Sequence, residues 1–132
     1  MEEAVITRKQ DARRMSVRFG EGEGALCVSV PLSTGLRNFR KFLRLKSLLA
    51  SLAGKDKQDT EEFISLVEET VEQMLGCVFA PADVPKILAF FDGNHDEAAE
   101  QLLPWLENDW KKAMLEERER QAKERINGYL ES

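Results

Sequence analysis

Few residues in this chain have side chains that could do bond-making chemistry, and their settings do not suit it. His95 is the one histidine. It lies in Asp92-Gly93-Asn94-His95, a turn between apolar runs, with no serine or cysteine nucleophile in a recognisable setting. A capping or solvated role is expected for it. Cys27 and Cys77 are far apart, with no CxxC between them, and are expected to be buried free thiols in a reducing cytoplasm. Two cysteines and one histidine cannot complete a structural zinc site, and their spacing matches no zinc pattern. Gly20-x-Gly22-x-Gly24 follows neither the dinucleotide nor the P-loop pattern that cradles phosphate. The carboxylates are spread along helix faces. The expectation is therefore no catalytic residue, no metal and no cofactor: a binding protein rather than an enzyme.

The residues that organise the chain are apolar. Met15, Val17 and Phe19 alternate with Arg14, Ser16 and Arg18, and Leu26, Val28 and Val30 alternate with Cys27 and Ser29. With the glycines of residues 20–24 between them, these segments predict a β-hairpin. Ala4 to Arg8 could add a third strand. After Pro31 the period becomes helical. Leu36, Phe39, Phe42, Leu43, Leu45, Leu48, Leu49 and Leu52 form a wide stripe ending at Gly54. Asp59 and Glu62 suggest an acidic capping box ahead of a second helix that buries Phe63, Ile64, Val67, Val71, Met74 and Leu75. A short third helix follows Ala80-Pro81-Ala82-Asp83 and stops at Gly93, the expected left-handed cap. A fourth helix carries Ala98, Leu102, Leu103, Trp105 and Leu106, with a kink or break expected at Pro104. Beyond Trp110 the chain reads as a solvated helical arm, with Glu116–Arg120 and Glu119–Lys123 as expected i,i+4 pairs.

The fold class is thus mainly α (α+β): residues 1–31 a hairpin segment, 32–107 a four- to five-helix core, and 108–132 a charged helical arm. At 132 residues the chain can bury a modest core without disulfides. No apolar run approaches the ~20 residues that cross a bilayer, and the N-terminus lacks the apolar centre of a secretory signal. Neither a membrane nor a nucleic acid is an expected partner, the basic segment having no interleaved aromatics.

Charge is distributed very unevenly. The net charge is −5, yet residues 1–57 hold twelve Lys/Arg against six Asp/Glu, and residues 58–110 hold one Lys against thirteen Asp/Glu. Such polarity can dock one half of a chain on the other or drive head-to-tail self-association.

The segments Leu36–Leu45 (LRNFRKFLRL), Val67–Phe79 (VEETVEQMLGCVF) and Asp83–Gly93 resemble the tail assembly chaperones of long-tailed bacteriophages and prophages of Gram-positive hosts. Ala80-Pro81 stands where Gly-Asn is usual in that family. The resemblance implies a cytoplasmic, non-virion protein that coats the helical tape measure protein and helps recruit tail tube subunits. It also implies a homo-oligomer, and a short form made beside a longer frameshifted one. Trp105, Leu106, Trp110 and Met114 are then the candidate client contacts, although both tryptophans could instead pack in the core. Self-association would pair Arg37, Arg40, Lys41 and Arg44 with Glu68, Glu69 and Glu72.

The same region is also similar to ubiquitin-associated or CUE-type three-helix domains, through Met74–Phe79, Asp92-Gly93-Asn94 and Glu97–Leu103. On that alternative, Val78, Phe79, Leu102 and Leu103 would form the binding patch. Another small protein-binding regulator is a further alternative.

Overall fold

The computed structural model describes residues 3–6, 13–33, 35–54 and 60–131. Strands β1 (Arg14–Phe19) and β2 (Leu26–Pro31) form the expected antiparallel hairpin, with Val17 opposite Val28. Gly20 and Gly22 lie at φ +87° and +85°, where a side chain would be strained, so the glycine run sets the turn. Residues 4–6 form no strand; Thr7 and Arg8 lie outside the described residues.

The hairpin lies on the helices. Phe19, Val28 and Val30 are buried, and the Phe19 ring meets Phe90 and Phe91 edge-on at 5.5 and 6.2 Å between centroids. Cys27 is exposed rather than buried, because strand alternation turns it away from Leu26 and Val28. Cys77 is buried as expected; burial pushes its thiol above the ordinary value against the pull of Lys41.

Helices α1 (Leu36–Ala53) and α2 (Glu61–Gly76) pack antiparallel. At one end Asn38 donates to the Cys77 carbonyl at 2.7 Å; at the other, Leu49 and Ala53 share a cleft with Phe63 and Val67. The N-cap of α2 is Thr60, whose hydroxyl accepts from the Phe63 N–H at 3.2 Å; Asp59 lies outside the described residues. Helix α3 (Val84–Phe90) holds Pro85 in its first turn and ends where Gly93, at φ +76°, donates to the Leu88 carbonyl at 2.8 Å.

Helix α4 (His95–Trp105) does not break at Pro104. It continues through a π-helical turn, Leu106–Trp110, into α5 (Lys111–Glu131). The spacing of the buried residues accounts for the π turn. Leu102, Leu106, Trp110 and Met114 recur every fourth position and all lie in the core. At about 100° per residue, each step of four overshoots a full turn by roughly 40°. In a regular α-helix Met114 would therefore sit roughly 120° away from Leu102. One wider turn absorbs that drift and keeps the four side chains on one face.

No described helix is long and apolar enough to cross a membrane.

Candidate protein-binding surfaces

The structure relocates three of the four expected client contacts. Leu106, Trp110 and Met114 are wholly buried and present no surface to a partner. The Trp110 indole sits edge-on to Phe42 at 5.1 Å and tilted against Phe39 at 6.2 Å. Its N–H is buried without an acceptor among the described residues, a cost that the contacts of the large ring outweigh. Only Trp105 of the four keeps partial exposure, and it stacks on Phe79 at 6.1 Å with the rings 18° apart. The arm expected from residue 108 therefore begins inside the core. The patch required by the ubiquitin-associated alternative is covered too: Val78, Phe79 and Leu102 are buried and Leu103 is half-buried.

The charged residues separate into two groups. Arg37, Arg40, Lys41 and Arg44 are all exposed on α1. Among the described residues no ion pair joins them to α2. The basic helix and the acidic helix thus pack through their apolar faces, and Arg37, Arg40, Lys41 and Arg44 keep their charges in solvent. Leu36 and Leu43 lie among Arg37, Arg40 and Arg44 and form a shallow groove with them. On α2, Glu61, Glu62, Ser65 and Glu69 surround Leu66. Leu36 is 58% exposed and Leu66 42%, so both faces carry apolar surface among like charges.

Glu68 and Glu72 have a different role from the self-association expected of them. They reach His95, whose Nε2 lies 2.9 Å from the Glu72 carboxylate and whose Nδ1 lies 3.5 Å from that of Glu68. Nδ1 also lies 2.9 Å from the Gly93 carbonyl. His95 is neither cap nor solvated: Asn94 caps α4 by accepting from the Glu97 N–H at 3.0 Å, and the His95 ring latches α4 onto α2. Its spacing from Glu68 and Glu72 along the chain gave no sign of this contact.

A buried carboxylate also escaped sequence reasoning. Glu117 is 2% exposed; it accepts from Arg120, which also reaches Glu124 at 2.5 Å, and it lies 3.7 Å from Arg13 at the start of the hairpin. Hydrogen bonding from Arg120 holds its carboxyl below the ordinary value against the opposing effect of burial, helped by the charges of Arg120 and Arg13. The expected Glu119–Lys123 pair is present at 3.3 Å, but Arg120 turns to Glu117 and Glu124. A further contact between elements, Lys46 with Glu107, ties α1 to the π turn.

Comparison with protein-family models, curated proteins and solved structures finds no match. Beyond Arg120 helix α5 is largely exposed, and Leu115, Ile126, Tyr129 and Leu130 put apolar area on it. Leu115, Ala122, Ile126 and Tyr129 fall at seven-, four- and three-residue steps, one stripe along the helix. Among the described residues no group of three or more His, Cys, Asp or Glu side chains converges as metal ligands would.

Proposed function

We propose that this chain is a tail assembly chaperone of a long-tailed phage or prophage. On this reading it works in the host cytoplasm, holds the tape measure protein in solution and helps bring tail tube subunits to it. One observation carries the reading: the chain exposes apolar side chains on three separate helical faces, each set among charges. Such surfaces suit reversible contact with other helices, since charge keeps the free protein apart while the apolar residues supply contact area. The resemblance adds the identity of the client, and its segments fall on consecutive elements: LRNFRKFLRL on α1, VEETVEQMLGCVF along α2 into the turn, and Asp83–Gly93 on α3.

The client contacts are revised accordingly. Trp105 is retained; Leu106, Trp110 and Met114 are replaced by the α5 stripe of Leu115, Ile126 and Tyr129, which can pack against a long helical client. No observation favours the ubiquitin-associated alternative, whose patch residues lie in the core. The reading is tested by the coding DNA through and beyond the codon for Ser132. A slippery run with an overlapping frame, followed by a gene for a very long helical protein, is expected. Absence of both would count against it.

A further inference from the structure

We propose that the basic groove of α1 in one copy of this chain receives the acidic ridge of α2 in a second copy, with Leu66 seated between Leu36 and Leu43. The proposal deepens the chaperone reading, which calls for several copies on one client, by naming the two surfaces that join them.

The spacing of both surfaces carries it. Leu36, Arg40 and the half-buried Leu43, which also touches the core, stand at four- and three-residue steps and border a shallow groove on α1. Glu62, Leu66 and Glu69 stand at the same steps on the exposed side of α2, a single apolar knob with a carboxylate on either side. A knob seated between residues seven apart is how two helices interlock side by side. With Leu66 in place, the carboxylates of Glu62 and Glu69 come within reach of Arg37, Arg40 and Arg44.

The partner is a second copy rather than the same chain. Within one chain α1 and α2 already meet through their inner faces, and these two surfaces lie on the outer ones. Among the described residues the groove arginines have no ion-pair partner. Glu68 and Glu72 face His95 of α4, so the ridge is narrower than the run of glutamates suggests. Each copy carries one groove and one ridge, so the contact can be made twice in a two-fold pair or repeated in an open array.

The test uses the pure protein without any client, so its failure would leave client binding to be judged separately. Light scattering on a sizing column at low ionic strength is expected to show the wild type above the 15.0 kDa of one chain, falling toward it in high salt. The variant Arg37→Glu/Arg40→Glu and the variant Glu62→Lys/Glu69→Lys should each run as monomers with unchanged circular dichroism, all four positions being exposed. Mixed in equal amounts, the two should associate again, because each then meets a surface of opposite charge. Leu66→Ala, which leaves every charge in place, should weaken self-association by about tenfold. A wild type that stays monomeric at low salt, reversed variants that still associate, or a mixture that stays monomeric would each overturn the proposal.

Discussion

Trp110 is the residue at which a core role and an expected client contact separate most clearly. Its ring is closed in by Phe39 and Phe42 and has no exposed surface. Trp110→Ala should therefore cost about 3–5 kcal/mol of stability through the cavity it leaves, read from urea unfolding. Trp105→Ala, at a half-buried ring on Phe79, should cost only about 1–2 kcal/mol. A Trp110 variant as stable as the wild type would return that residue to the surface. Glu117 sets a pH dependence. Its folded value lies below the ordinary one, so the stability it contributes is complete above the ordinary carboxylate value. That contribution is lost as pH falls through the lowered folded value. The gap in unfolding midpoint between wild type and Glu117→Gln should accordingly close on acidification; a constant gap would mean that the Arg120 contact does not act on the folded state. Nothing in the spacing of EERERQAKER marks Glu117 as the buried member, because which glutamate of a helix turns inward depends on the phase delivered by the π turn upstream.

The elements were legible where a local signal sufficed. The alternation in β1 and β2, the stop at Gly93 and the first-turn position of Pro85 all follow from residue types within a few positions. The continuous helix through Pro104 did not follow. Proline removes one backbone hydrogen bond and crowds the preceding turn. Here Leu102, Leu106, Trp110 and Met114 are buried on both sides of it, and that packing holds the helix together. The four-residue spacing of those side chains was visible in the chain, and it is the signal that could have located the π turn. Deleting Asn108, which is exposed within that turn, would turn the spacing of Leu102, Leu106, Trp110, Met114 and Glu117 into alternating fours and threes, the pattern of a regular helix. Circular dichroism melts should show this deletion keeping a cooperative transition. Deleting the equally exposed Gln101 should not, because it rotates Ala98 and Ala99 out of register with Leu102 by roughly a quarter turn. If the Asn108 deletion unfolds the chain and the Gln101 deletion is tolerated, the phase account of the π turn is wrong.

Across the whole molecule, the hairpin, the antiparallel pair α1–α2 and the front of the long C-terminal helix enclose one core, to which residues on both sides of position 107 contribute. What remains outside is patterned: a basic face, an acidic face and a protruding helix with a thin apolar stripe. The charge asymmetry was plain in the sequence, but not which charges are occupied within the fold. His95 takes two of the glutamates expected to serve a partner, and the core takes three of the four apolar residues expected to meet a client. Both outcomes depend on contacts between residues distant along the chain, which periodicity within one helix cannot reveal. The most direct measurement of the central claim is co-expression with the long helical protein that the chaperone reading places next downstream, followed by the amount of that protein in the soluble fraction. With this chain present, the client should stay soluble and elute with it, and replacing Leu115, Ile126 and Tyr129 together by serine should return it to the pellet. A client equally soluble without this chain, or one that never elutes with it, would contradict the chaperone account.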